Sequence, residues 1–382
     1  MRITRYLRVG VVGFGLTMLA LALLLLPARA GAQTIKIGWA GPLTGDQAFF
    51  GKTWLNGLQM AIDEVNAKGG LFGRQLEIVA LDDQADPKQA TVVAQRLCDD
   101  SQVVAVVGHF NSGATLPAEP VYNKCRLLQV TNSSNPRITA LGFDTIFRSI
   151  ANDSMQGAAP GVYAVDKLGA KRVAILHDKQ AFGQGVAAVF ENTVKGKGAT
   201  VTSVNGITHG DVDFTAVLTK IRAENPDVVY FGGTAQDGGL ILRQMRQMGL
   251  KATFIGPDGL FEPAFVEVAT RPAAEGALVS FQAPPLDSTP ELRQWSSTYK
   301  AKFKEDPGPY SPYGYDEGRV VIDAIQRAGK SDRDAIVKAA RTTNLPSMLV
   351  KTIQFDEKGD VKDPVVFLYA VKDGKFVLQW AP

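Results

Sequence analysis

A chain of 382 residues, 45% hydrophobic and 21% charged, has the composition of a folded protein and is too long for a single core to serve it. The formal charge of +3 rests on the first 30 residues, which hold four Arg and no acid; the remainder carries about −1, so charge gives no support to a nucleic-acid partner. Two cysteines exclude a zinc or iron–sulfur centre built on thiolates.

The chain opens with Arg2, Arg5 and Arg8, an apolar stretch from Val9 to Leu26, then Pro27 and small residues. Eighteen apolar residues could just span a bilayer as an uncleaved anchor. The small-residue exit instead favours a signal peptide over residues 1–30, cleaved after Ala30 or Ala32. No Cys follows the apolar run, so a lipid anchor is not expected, and no later run is long enough to cross a membrane. The expectation is a protein exported from the cytoplasm.

From Ile35 the pattern alternates strand and helix. IKIGWAG reads as a strand and KTWLNGLQMAIDEVNAKGG as a helix, with Leu55, Leu58, Ile62 and Val65 on one face and Gly69-Gly70 at its end. RQLEIVALDD is the next strand. Asp86-Pro87 supplies an N-cap and a first-turn proline for the helix PKQATVVAQRLCDD. QVVAVVGH is a strand suited to burial on both faces. TLPAEPVYNKC follows as a helix, then the short strands RLLQVT and TIFRS. A second alternation begins near Asp153 and runs through KRVAILHD, TVTSVNGI, DVVYFGG and ATFIGPDG, each followed or preceded by a helical stretch. Two such runs predict an α/β fold of two doubly wound halves. After ALVSFQ come two helices, then IQFDEKGDV and a hairpin turned at Asp373-Gly374. These last elements are expected to complete the two sheets, with several crossings and hence a hinge. Cys98 and Cys125 fall on helices after successive strands; an oxidising compartment permits their disulfide, and the sequence leaves it open.

Open α/β sheets bind ligands beyond the carboxyl ends of their strands. In the first half those positions hold Gly41 to Gly45, Asn111 to Thr115, and Asn132-Ser133-Ser134, all small, amide or hydroxylic and uncharged. Ser112 and Thr115 precede a helix, where free N–H groups and the macrodipole favour an anion such as a carboxylate. Plain N-capping would explain either residue alone. In the second half the positions are Asp178 to Phe182, Gly232-Gly233-Thr234 and Asp258-Gly259. Asp258 opposite a hydroxyl-lined anion seat would suit a zwitterionic amino acid, although an Asp in Pro-Asp-Gly is also an ordinary turn residue. Enzyme readings fare worse. GHFNSG is not a nucleophile elbow, His109, His177 and His209 have no metal-ligand spacing, and GPLTG is too short for a phosphate loop. No cofactor, metal or catalytic group is expected.

The motifs IKIGWAGPLTG, GLQMAIDEVNAKGGLFGRQLEIVALDDQADPKQA, VVGHFNSGAT, ILHDKQAFGQG, ILRQMRQMGLKATFIGPDG and FDEKGD together resemble the periplasmic leucine/isoleucine/valine-binding proteins, receptors of branched-chain amino-acid ABC importers. The resemblance spans nearly all of the chain after the leader. It implies the type I periplasmic-binding-protein fold: two α/β lobes, residues 33–152 with 282–360 and residues 153–281 with 361–382, closing on a hinge. It implies Ser112, Asn132, Ser133 and Ser134 as contacts of the ligand's carboxylate and ammonium, Asp258 as the ammonium's acid, and Phe50, Phe182, Thr234 and Tyr310 as pocket lining. Best-known members have Tyr in place of Phe50, Phe182 and Thr234, and Glu in place of Asp258. Their disulfide maps to Ala85 and Asn111, so that bridge is absent here. The implied function is an amino-acid receptor, a monomer that docks transiently on an inner-membrane permease. The same fold could instead serve aromatic carboxylates, amides or another amino acid, or a sensor.

Overall fold

The computed structural model describes residues 34–381, so the leader lies outside the described residues. Five parallel strands form the first sheet: β1 (Ile35–Gly41), β2 (Leu76–Asp82), β3 (Val103–Gly108), β4 (Leu128–Thr131) and β5 (Ile146–Arg148), in the order β2-β1-β3-β4-β5. The second sheet has seven strands: β6 (Arg172–His177), β7 (Thr200–Gly206), β8 (Val228–Gly232), β9 (Thr253–Gly256), β10 (Leu278–Phe281), β13 (Phe367–Lys372) and β14 (Lys375–Trp380). Their order is β14-β13-β10-β9-β8-β6-β7, parallel except for the β13–β14 hairpin and its antiparallel pairing with β10. Leu345–Pro346 (β11) and Thr352–Ile353 (β12) form a separate two-stranded pair.

The helices are α1 (Ala48–Asn66), α2 (Pro87–Asp99), α3 (Ser112–Lys124), α4 (Arg137–Ala140), α5 (Asp153–Gln156), α6 (Ala158–Asp166) and α7 (Ala181–Gly196). They continue with α8 (Thr215–Glu224), α9 (Ala235–Gln247), α10 (Pro263–Ala269), α11 (Arg271–Ala274), α12 (Pro290–Phe303), α13 (Ser311–Ala328) and α14 (Arg333–Ala340). Apolar residues of α1, α13 and α14 cover one face of the first sheet, and those of α2 and α3 the other. The second sheet is covered by α8, α9 and α10 on one face and by α6 and α7 on the other. The chain therefore passes between the two layered units three times: after β5, after β10, and between β12 and β13. None of the described helices is long and apolar enough to cross a membrane.

Local chemistry explains the elements that frame the cleft. Asp86 caps α2 through the N–H groups of Lys88 and Gln89 with Pro87 in the first turn, and Asp373 and Gly374 turn the hairpin at positive φ, both as the sequence predicts. Helices α1 and α13 touch backbone to backbone. A Cβ on Gly57 would lie 1.9 Å from the Ser311 carbonyl oxygen, and one on Gly314 2.1 Å from that of Trp54. That approach sets Phe50, at the start of α1, beside Tyr310, which precedes α13.

Two expectations change. Helix α3 starts at Ser112, three residues before the sequence suggests, and carries Pro117 and Pro120 inside it. The segment IQFDEKGDV adds no full strand to the first sheet. It contributes one bridge, Arg148 to Asp360, and an ion pair of unusual burial. The Arg148 guanidinium is fully buried and donates to Asp360 Oδ1 from Nε (2.9 Å) and Nη2 (2.6 Å), and to the Asn135 carbonyl at 2.7 Å. Removing one partner of such a pair leaves the other charge uncompensated. Asp360→Ala is expected to cost about 3 kcal/mol of stability, read from the urea midpoint at unchanged slope; a loss below about 1 kcal/mol would show that solvent screens the pair. The Cys98–Cys125 disulfide left open by the sequence is formed, joining the end of α2 to the residue after α3 across a Cα–Cα distance of 5.8 Å.

Candidate ligand-binding site

Strand order reverses between β1 and β3 in the first sheet and between β6 and β8 in the second. A crevice opens beyond the carboxyl ends of the strands at such a switch point, and here the two crevices face each other. Gln47, Phe50, Phe110, Asn111, Ser112, Asn132, Ser134 and Tyr310 from the first unit meet Phe182, Thr234, Asp258 and Gly259 from the second around one cleft. Eight of the nine ligand-site residues expected from the sequence thus converge. Ser133 does not line the space. Its hydroxyl turns inward to the carbonyls of His109 (2.9 Å) and Phe110 (2.8 Å) and to Thr115 Oγ1, tying β4's exit to β3's.

One wall is polar. Ser112 is the first residue of the 13-residue α3, whose leading N–H groups have no carbonyl partner within the helix. Ser112 Oγ accepts the Asn135 N–H at 3.2 Å. Asn111 donates to Gln47 at 2.6 Å but leaves its Oδ1 unpaired. Both side-chain polar atoms of Asn132 and the hydroxyl of Thr234 are likewise buried without a partner. Buried polar groups are normally satisfied, so three orphaned side chains on one cleft mark it as a place that binds something polar. Thr115, a candidate anion contact in the sequence, is fully buried in the His109–Ser133 network and belongs to the scaffold. His109 bonds Asp83 (2.6 Å) and Tyr122 (3.0 Å) out of reach of solvent, a structural role.

A second wall is aromatic. Phe50 stacks on Phe110 at 5.3 Å, and the Tyr310 ring meets both edge-on, 5.2 and 4.9 Å away. Across the cleft a Cβ on Gly259 would fall 2.6 Å from the Gly233 carbonyl oxygen and 3.1 Å from Phe182, so only glycine fits there.

The floor is acidic. Asp258, 4% exposed, accepts from Tyr310 Oη at 2.6 Å and Gln282 Nε2 at 3.0 Å, both neutral donors. Gln282 also donates to Gln156, and Gln156 to Asp153 at 3.3 Å. Burial pushes the Asp258 carboxyl up from the usual carboxylate range. Burial likewise pushes Asp153 up to about 7; a bond from Ser134 and the Arg148 charge oppose the rise, and Asp258 adds to it as a like charge. Two carboxyls with no ion-pair partner among the described residues form a receptacle for positive charge. Sequence reasoning misses Asp153, Gln156 and Gln282. Gln282 directly follows β10 and obeys the same rule that finds Asp258, whereas Asp153 and Gln156 sit on a crossing segment that no strand marks.

The space at the centre is about 30 Å³, little more than one water, and it widens into an antechamber of about 250 Å³ between the units. Asp46, Asp86, Asp178 and His209 line the antechamber. His209, from the second unit, donates toward Asp237 at 2.7 Å and stands 3.6 Å from Asp46 of the first. The bond to Asp237 pushes its imidazole up to about 9, with burial opposing. No group of residues suited to a metal ion occurs among the described residues.

The family profile described as "Periplasmic binding protein" matches residues 34–375. A leucine-, isoleucine-, valine-, threonine- and alanine-binding protein of Pseudomonas aeruginosa is 37% identical over 333 residues, 87% of this chain and 88% of its own. Among solved structures, a leucine-binding protein LivK from Thermotoga maritima superposes with a TM-score of 0.84 at 32% identity, covering 91% of this chain and 98% of that one. The branched-chain amino-acid transporter substrate-binding protein LivJ from Streptococcus pneumoniae, solved with isoleucine, gives 0.84 at 28% identity, covering 92% and 100%. With the profile spanning nearly every described residue and the paired switch-point crevices facing one cleft, this chain belongs to the periplasmic binding protein family.

Proposed function

We propose that this protein is the substrate-binding protein of an ABC importer and that it captures a branched-chain α-amino acid between two closing lobes. The observation that carries the reading is the pairing of opposite chemistries across one cleft: Ser112 at the start of α3 for a carboxylate, and Asp258, buried among neutral donors, for an ammonium. Asn132, Ser134 and Thr234 offer the remaining polar contacts, and Phe50, Phe110, Phe182 and Tyr310 an apolar surround for the side chain. Relatives named for leucine, isoleucine and valine support the aliphatic choice.

Residues 33–152 with 282–360 form one lobe and residues 153–281 with 361–382 the other, joined by the three crossings. The close walls support hinge motion, since an amino acid enters a space this small only when the lobes part. The leader is removed on export to the periplasm, and the closed monomer presents its lobe surfaces to an inner-membrane permease. Catalysis is not part of this function.

The test is a thermal-shift series on refolded protein stripped of carried-over ligand. Leucine at 100 times its Kd should add about 2.7 kcal/mol, a clear rise in Tm. A rise only with carboxylates that lack an ammonium would keep the anion seat and remove the amino-acid assignment.

A further inference from the structure

A second cavity, about 850 Å³, lies apart from the amino-acid cleft. Its walls include Phe49, Phe261, Phe281, Tyr369 and Phe376, and Glu262 lies among them. Phe261 is the hub of this aromatic surface, stacked on Phe281 (4.5 Å) and Phe376 (4.3 Å) and edge-on to Tyr369 (4.7 Å). Glu262 is 3% exposed, yet its carboxylate has neither a hydrogen-bond nor an ion-pair partner among the described residues. It occupies the N-cap position of α10 and its side chain does not cap that helix. Its carboxylate, on a residue almost wholly buried, neither caps nor pairs and faces only the cavity, a costly position for a charge with no counter-charge. The other acids of this cavity are provided for: Glu305 by Lys52 and Asn56, Asp306 by Lys300, and Asp287 by exposure to water.

We propose that this cavity is a second binding site, for a small organic cation with an apolar body, held by the Glu262 carboxylate with its apolar part against the aromatic lining. A carboxylate supplies the counter-charge, and the aromatic side chains bury the apolar part. A neutral apolar ligand would leave Glu262 buried and unpaired; an anion would meet its charge head-on. The inference does not depend on the amino-acid reading of the other cleft.

The groups facing Glu262 are Asp46 from the β1–α1 loop, Glu267 of α10 and the Tyr310 phenol, with Lys375, Arg293, Asp287, Glu305 and Asp306 among the lining residues. Burial, with Asp46 and Glu267 as like charges, pushes the Glu262 carboxyl up to about 8. A bound cation favours the ionised form, so affinity should climb as pH rises through that value.

The experiment is calorimetric titration with benzyltrimethylammonium, whose charge does not titrate, and with neutral 2-phenylethanol as comparator. The cation should bind the wild type, and Glu262→Gln should weaken it at least about tenfold while leaving leucine titrations unchanged. The alcohol should bind both proteins alike. Should Glu262→Gln fail to fold, the wild type alone decides: its affinity for the cation should rise about tenfold between pH 6.5 and pH 9. Equal affinity in both proteins, a flat pH profile, or no binding at millimolar concentration would each overturn the site. Loss of leucine binding by the wild type would bear only on the other cleft.

Discussion

Asp258→Asn should weaken leucine binding at least about 100-fold, close to 3 kcal/mol, measured by isothermal titration at pH 8. The substitution keeps the shape of the side chain and one oxygen for Tyr310 or Gln282, so the pocket's outline survives. What disappears is the charge. An ammonium brought into this cleft gives up its water, and the Asp258 carboxylate is what replaces that hydration. With an amide in its place the ligand's cation would be buried beside dipoles that are already engaged. Asp153 limits the damage: freed of its like-charged neighbour, it ionises more readily and offers a more distant counter-charge. The Asp153→Asn, Asp258→Asn double variant should therefore lose more than the sum of the single losses. Ser112→Ala, which removes one neutral hydroxyl from the opposite wall, should cost nearer tenfold. An affinity for Asp258→Asn within threefold of the wild type would remove Asp258 from the ammonium's role.

Much of this site is legible in the amino-acid sequence. The rule that ligands sit beyond strand ends finds Ser112, Asn132, Ser134, Thr234 and Asp258, because each follows a strand whose apolar run is unmistakable. The same rule takes in Phe182, at the end of the stretch after β6, and the family resemblance adds Phe50 and Tyr310, which lie on or beside helices where no period distinguishes a pocket wall from core. Ser133 misleads because three polar residues in succession cannot all face one cleft; its neighbours Asn132 and Ser134 point into the space, and the hydroxyl between them binds the carbonyls of His109 and Phe110. The pairing of Cys98 with Cys125 stays undecided in the sequence for a different reason. It depends on how α2 and α3 pack, and sequence spacing carries no Cα distance. Phe110 stands one residue ahead of the stretch Asn111 to Thr115 that the rule finds, yet nothing singles it out, since an aromatic ahead of a helix reads as a plain turn residue.

Raising the pH from about 5 to about 8 should weaken the ligand-free fold while strengthening its grip on an amino acid. The first effect comes from buried acids. Burial pushes Glu119 and Glu317 up to about 8, Asp153 and Asp178 to about 7, and Asp316 to about 6. Each binds its proton more tightly folded than unfolded, so its contribution to stability is fully present below the unfolded carboxyl range and is lost as pH rises through the folded value. Every unit of such a shift is worth about 1.4 kcal/mol. Even a fraction of that, spread over several groups, should lower the ligand-free Tm by at least about 5 °C between pH 5 and pH 8. His209 acts in the same direction but later, because Asp237 keeps it protonated up to about 9. The second effect has the opposite sign. An ammonium beside Asp258 and Asp153 requires a carboxylate; burial raises both, Asp153 to about 7, so toward acid each ligand must displace a proton and its affinity should fall by up to tenfold per unit. Scans with and without saturating leucine separate the two. The gap between the curves should narrow toward acid while the ligand-free curve climbs. A ligand-free Tm that rises with pH would show that the buried acids are ionised in the empty protein, and the cleft would then hold its charge without needing a cation to draw it out.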